Sequence, residues 1–367
     1  MSKKKSKLQI AQEKAEESIN ETNNKIDELG KHTEKLYDAL NQIQEQFDAI
    51  RNIPSESKLE YERLKKVRLN WKQQAEKIET DYHKAIIKNA GAGVAGATLG
   101  VGVVTLGPTA AMGIATTFGV ASTGTAISTL SGAAATNAAL AWLGGGALAA
   151  GGGGMAAGNA FLALAGPVGW AIAGVALLSS GLLFWKAKSE RKRLEDIFTL
   201  ISERDIKSYE LAIVELNERI KRISDESELL EDAIKEIHTF GLDYSKMTEV
   251  QQYALGSYVN LMSSSTQLLV NPILGLQSKY SESDLEDFLN IDTEKTWTYG
   301  QRKIILTLSN LLYRIDVDQK DEKLLLKSFK KNKKFLAALE ISKKELDASV
   351  FETVSKALNY KYFNGNA

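Results

Sequence analysis

The sequence has no cysteine, which excludes a disulfide framework, a thiolate nucleophile and any zinc site built on sulfur. Its three histidines, His32, His83 and His238, lie on separate amphipathic stretches, so no metal site is expected from them. Proline is scarce too, four in 367 residues, which leaves long tracts with nothing to interrupt a helix. No alternating run marks a strand. The absence with the largest consequence is of charge. Between Lys88 and Lys186 there is no Asp, Glu, Lys or Arg, although a quarter of the chain is charged. At that average, an uncharged run of 97 residues has odds on the order of 10⁻¹². The balanced total of 46 basic and 46 acidic side chains therefore belongs entirely to the residues on either side of a charge-free block.

What is present outside the block is helical periodicity. Leu8, Ala11, Ala15, Ile19, Thr22, Ile26, Leu29, Thr33, Leu36, Leu40, Ile43, Phe47 and Ile50 recur at steps of three and four among Glu, Lys, Asn and Gln. That spacing lays one stripe along a helix and buries it in a coiled-coil seam. Pro54, within Asn52 to Ser57, removes a backbone donor and restricts Ile53, so the helix breaks there. A second stripe, Leu64, Val67, Trp71, Ala75, Ile78, Tyr82 and Ala85, runs straight into the block. A third follows it: Tyr209, Ile213, Leu216, Ile220, Ile223, Leu230, Ile234 and Ile237, with Ser227 as the polar member.

The expected fold is all-α: a long antiparallel coiled-coil or helical bundle carrying a Gly/Ala-rich hydrophobic helical head, with a C-terminal helical domain. The divisions are 1–87, 88–186, 187–241 and 242–367. In the last, Thr248 and Gln251 predict a capping box for a helix through Leu268 that stops at Asn271-Pro272. Residues 281–297 read as a polar loop, and helices are expected around 304–315, 324–339 and 343–358.

Within residues 89–185, 48 of 97 positions are Gly or Ala. Lipid supplies no hydrophobic drive for helices to associate, and small residues let their backbones approach closely. The pair Gly96 and Gly100, and the stripe Gly166, Gly169, Ala173, Ala176 and Ser180, are the candidate helix-packing positions. Residues 160–185 are long enough at about 1.5 Å per residue to cross about 30 Å of hydrocarbon. Trp185, Lys186, Lys188, Arg191, Lys192 and Arg193 at the exit, with Lys84 and Lys88 at the entrance, are the candidate membrane-boundary residues. Basic residues at both ends place both flanks in the cytoplasm, with two or four crossings. A soluble cytoplasmic form that precedes insertion is the alternative to permanent residence in the membrane.

The stretch Ser122 to Gly151, followed by Ala165-Gly-Pro-Val-Gly-Trp-Ala-Ile-Ala-Gly174, resembles the glycine-zipper segments of small interferon-inducible mitochondrial-membrane proteins. More loosely, it resembles the membrane segment of apolipoprotein L proteins. An apolar head between long amphipathic helices is similar in layout to α-helical pore-forming toxins of the haemolysin E kind. The block here is longer than those toxins' hydrophobic hairpin, and a further helical unit follows it. These resemblances imply action on bilayers.

Other chemistry is not supported. No Gly-x-x-x-x-Gly-Lys-Ser/Thr is present, and Gly100-Val-Gly102 lacks the third glycine of a dinucleotide fingerprint. Asp316-x-Asp318-x-Lys320-Asp321 begins like a calcium loop, but Lys327 stands where a bidentate Glu belongs; a helix–loop–helix corner fits better. Lys327, Lys330, Lys331, Lys333 and Lys334, interleaved with Phe329 and Phe335, read as a solvated face over two core aromatics.

No catalytic, cofactor or metal residue is assigned, and an enzyme is not expected. The partners expected are a lipid bilayer, further copies through the coiled coils, and a protein at the C-terminal domain, but not nucleic acid. The function expected is oligomerisation and perforation or remodelling of a bilayer, as a bacterial toxin or an effector of antiviral defence. The alternative is a membrane-anchored coiled-coil scaffold that recruits a cytoplasmic partner.

Overall fold

The stripe that begins at Leu8 closes against the stripe of the third amphipathic stretch. In the computed structural model, which describes residues 5–69, 188–270, 279–280, 282–291, 297–331, 336 and 341–364, these two form the longest helices. Helix α1 is Lys7–Ala49, α2 covers 55–69 and α3 is Lys188–Ile237. Helices α4 (Glu249–Val270), α5 (Glu282–Ile291), α6 (Tyr299–Leu312), α7 (Gln319–Lys331) and α8 (Ala348–Asn364) follow. The fold is all-α, and no sheet exists among the described residues. At about 1.5 Å per residue, α1 spans about 65 Å and α3 about 75 Å.

Helices α1 and α3 run parallel. Leu8, near the start of α1, shares a core with Leu194 and Ile197 near the start of α3. Gln46, near the end of α1, meets His238 just past the end of α3 at 3.2 Å. Each long helix then reverses. Helix α2 folds back on α1, with the Tyr61 ring 5.3 Å from that of Phe47, and α4 folds back on α3, where Ser265 donates to Glu226. Helices adjacent in sequence are thus antiparallel, and two hairpins stand side by side as a stalk.

The two corners are stitched together. The Arg51 N–H donates to the Leu242 carbonyl at 3.0 Å, and the Tyr244 N–H donates to the Arg51 carbonyl at 2.9 Å, a parallel bridge between Arg51 and Asp243. Asn52 takes the left-handed conformation at φ 63°, and its side chain donates to Asp243 at 2.9 Å. Gly241, at φ 82°, ends α3 in a conformation that an L side chain rarely adopts. The Thr248–Gln251 box caps α4 reciprocally: Thr248 N–H donates to the Gln251 side chain, and Gln251 N–H to the Thr248 hydroxyl.

The stalk core contains Leu29, Leu36, Leu40, Ile43 and Phe47 with Tyr209, Leu216, Ile223 and Leu230, and it takes in Leu255, Val259 and Met262 of α4. Three buried serine and threonine hydroxyls in these helices donate one turn back. Thr22 donates to the Ser18 carbonyl, Ser227 to that of Ile223 and Thr266 to that of Met262. Such seam positions cost little because no donor is orphaned.

A second core wraps the beginning of α3. Leu194, Ile197, Phe198 and Ile201 pack with residues of α5 to α8 and with Leu8. Its centre is α6, opened by a Thr298–Gln301 capping box and buried at Ile304, Ile305, Leu308 and Leu311. Residues 282–291, expected as polar loop, are helical, because Leu285 and Phe288, one turn apart, bury themselves in this collar. Residues 242–367 therefore divide between the stalk, through α4, and the collar, through α5 to α8.

The corner bears directly on acid stability. The Asp243 carboxyl is held below its ordinary value, first by the Asn52 amide and then by Ser245. A depressed carboxylate stabilises the fold fully above its unfolded value of about 4 and loses that contribution as pH falls through the folded one. Asp243→Asn should therefore show a shallower loss of melting temperature below pH 4 than the wild type. Parallel acid limbs would remove this role.

Candidate functional site: the two helices that flank the block

Two described helices flank residues 70–187: α2 before them and α3 after them. Helix α2 points away from the stitched corner, toward the end of the stalk where α3 begins. On α2 the buried face is Tyr61, Leu64 and Arg68, at steps of three and four. An arginine thus occupies a seam position. It is 2% exposed, and its Nη2 donates to Gln44 Oε1 at 2.7 Å and its Nη1 to Thr266 Oγ1 at 3.4 Å. Both partners are neutral. Among the described residues its Nε has no hydrogen-bond partner, and Asp48, the nearby carboxylate, is taken by Gln44 at 3.0 Å and Lys65 at 2.8 Å. Burial pulls the Arg68 guanidinium down to about 10, opposed by Tyr37 and Asp48. A buried charge without an opposite charge beside it is costly, so α2 is held less firmly than its apolar contacts alone imply.

On α3, Arg193 is clamped. Its Nε lies 2.7 Å from Asp321 and its Nη2 2.5 Å from Asp318. Asp318 in turn accepts from the Lys320 and Asp321 backbone N–H groups at 2.8 and 2.9 Å and caps α7. Asp316 to Asp321 is thus a helix–loop–helix corner tied to α3 by an arginine. The Asp318 carboxyl sits below its ordinary value, chiefly through the Asp321 backbone N–H and then Arg193.

Three turns further along α3, Asp205 is fully buried, 2.9 Å from Arg204 and 3.1 Å from Lys279. Arg204 also donates to the Leu311 and Tyr313 carbonyls at 2.9 and 2.6 Å, the favourable end of α6 for a cation. Burial pushes the Lys279 ammonium down and, with Asp205, the Tyr209 hydroxyl up. Perturbed groups of this kind also mark catalytic centres. Here they sit where α3, α6 and the residues before α5 meet, so they lock the collar to the stalk.

The expected site residues separate. Arg193 forms the α3–α7 clamp, and Arg191 pairs with Glu195 at 2.9 Å. Lys188 and Lys192 are exposed in the first turns of α3. Lys84, Lys88, Trp185 and Lys186, and the packing positions Gly96, Gly100, Gly166, Gly169, Ala173, Ala176 and Ser180, lie outside the described residues, as does the whole block 89–185.

The assignment as a membrane-resident, transmembrane protein with both flanks cytoplasmic is corrected. Among the described residues no helix is long and apolar enough to cross a membrane. The physical reason is that α1 and α3 are amphipathic, and each carries a charged outer face along its whole length. Among the same residues, no group of three His, Asp or Glu side chains is placed to hold a metal.

Two surface concavities accompany these features. One, of about 390 Å³, lies at the stitched end beside Phe47, Ile53, Tyr244, Gln252 and Leu255. The other, of about 320 Å³, is on the collar, rimmed by Lys323, Lys327, Lys330, Lys331 and Lys343 around Leu326. Lys327, Lys330 and Lys331 were visible as a basic cluster in the sequence. Lys323 at the same helical spacing, and Lys343 beyond the helix, were not. No protein-family model, curated protein or solved structure matches the chain.

Two substitutions separate the roles of these charges. Arg68→Met should raise stability to urea by about 1–4 kcal/mol, the range found when well-packed hydrophobic residues replace buried charges. Asp205→Asn should lower it by about 3–5 kcal/mol, because Arg204 and Lys279 are left without their counter-charge. An Arg68→Met variant less stable than wild type would show that its bonds to Gln44 and Thr266 outweigh the buried charge.

Proposed function

We propose that this chain acts on lipid bilayers through residues 89–185, assembling with further copies of itself to perforate or remodel them, in the manner of a pore-forming toxin or a defence-system effector. One observation carries the reading: 97 consecutive residues without a charge, half of them Gly or Ala, joined to helices charged along their whole length. A run of that composition suits close helix packing in lipid. The proposal concerns action on a bilayer, not residence in one. The resemblance of residues 122–151 and 165–174 to glycine-zipper segments supports it. No catalytic step is part of it.

The described residues refine the assembly. The seams expected to pair one copy with another are filled within the chain, α1 against α3. In this reading, contacts between copies use other surfaces. On the outer face of α3, Leu200, Leu211 and Val214 are 50%, 51% and 65% exposed and available for them.

The purified full chain should release a dye trapped in liposomes. Absence of release at every lipid composition and pH would overturn the proposal. Gly166→Leu with Gly169→Leu, which fills the small-residue face, should cut the release rate at least about tenfold while the stalk melts at the wild-type temperature. Unchanged release from this variant would leave the small-residue face without a role in assembly.

A further inference from the structure

The collar carries a lysine-rimmed concavity. Its rim is Lys323, Lys327, Lys330 and Lys331 of α7 with Lys343 beyond it, and its floor is Leu326. Positions 323, 327, 330 and 331 follow helical spacing, so α7 gathers them on one side while Leu324, Leu325, Ser328 and Phe329 are buried on the other. Among the described residues, Lys323, Lys330 and Lys343 enter no ion pair. The neighbouring carboxylates are already engaged. Glu345 accepts from the Ser342 N–H and hydroxyl at 2.8 and 2.9 Å, and Glu322 accepts from Ser355. Asp347 accepts from the Ser349 N–H and hydroxyl, and it also feels the Lys330 charge. The concavity itself is lined by five lysines around Leu326.

Its place in the molecule sharpens this. Helix α7 starts at the Asp318–Asp321 clamp on Arg193, in the second turn of α3, eight residues past the end of the charge-free block. The collar core that seats Phe329 is the same one that seats Leu194 and Phe198. The concavity thus belongs to the unit fastened around the helix that leaves the block.

We infer that this concavity is a docking surface for the headgroups of anionic phospholipids, which brings the collar against the bilayer that residues 89–185 engage; the inference rests on the bilayer reading above. Ammonium groups at the rim meet phosphates as point charges. The lysine stems and Leu326 offer an apolar floor to the glycerol region, as lysines do when they bury their methylenes and keep their charge in water. A nucleic acid fits less well, because among the described residues no aromatic side chain, arginine or amide lines the concavity to stack on or read a base.

The test is flotation of the full-length protein with phosphatidylcholine vesicles and with equimolar phosphatidylcholine–phosphatidylglycerol vesicles. Two variants are compared with the wild type: Lys323→Glu/Lys330→Glu/Lys343→Glu and the corresponding triple Gln substitution. All three lysines lie on the surface, and matching thermal melts establish that the variants fold. The wild type should prefer the anionic vesicles, and about 1 M salt should abolish the preference. The Gln variant should bind them on the order of 100-fold more weakly, from about fivefold for each basic residue lost near an anionic surface, and the Glu variant more weakly still. Equal wild-type binding to both vesicles, or variants that bind as the wild type does, would overturn the docking surface. So would loss of duplex DNA binding in the variants with no lipid preference in the wild type.

Dye release separates this result from the function proposed above. Charge-dependent flotation without release removes perforation and keeps the docking surface. Undiminished release from neutral vesicles, with no preference for anionic ones, does the reverse.

Discussion

The seam between α1 and α3 is the contact on which everything else hangs. Leu29, Leu36, Leu40 and Ile43 on one side and Leu216, Ile223 and Leu230 on the other are buried to within a percent or so of complete exclusion from water. Each such side chain stabilises the fold by roughly 1.5–3 kcal/mol relative to exposure. Most of the stability of amphipathic helices such as these comes from packing of the apolar face rather than from propensity. With the seam formed, α2 and α4 have a groove to fold back into, and the start of α3 becomes the post around which the collar packs.

Charge is used in three ways around that seam. On the outer faces it keeps the long helices in water. At Arg193 and Arg204 it ties the collar to the stalk, each arginine meeting a helix end that favours it: the capping carboxylates of α7 and the terminal carbonyls of α6. At Arg68 it does neither. There a cation is buried among neutral partners in the helix that leads into the charge-free block, and the packing of Tyr61 and Leu64 must outweigh it. The hairpin that emerges is well fixed at its corner and less so along α2.

The sequence made the elements plain and their directions less so. The steps of three and four from Leu8 to Ile50 marked a buried stripe, and every described member is buried. Thr248 and Gln251 carry their cap in two residues. Stripes, however, do not encode direction. That α1 and α3 run side by side in the same sense follows from the reversals at Pro54 and Gly241 and from the bridge between Arg51 and Asp243, contacts across nearly 200 residues. A basic cluster after an apolar run carries no sign of the ion pairs that Arg193 makes with Asp318 and Asp321. Val67 looked like the seam residue on α2, where Arg68 is, because a one-position shift in register is invisible when a long side chain supplies the burial. Helix α5 was missed because Leu285 and Phe288 form too short a stripe to register without the collar to receive it.

The parallel arrangement of α1 and α3 also sets an order of events during synthesis. The two halves of the seam lie on opposite sides of the charge-free block, so the seam has only its α1 half, with α2 beside it, until residues 188–237 have been made. At about 5–20 residues per second, the roughly 190 residues between the end of α1 and the end of α3 take on the order of 10–40 seconds. The whole of 89–185 leaves the ribosome inside that interval, before the stalk can close. Its first encounters, with chaperone, lipid or another nascent chain, therefore precede the structure that will later carry it.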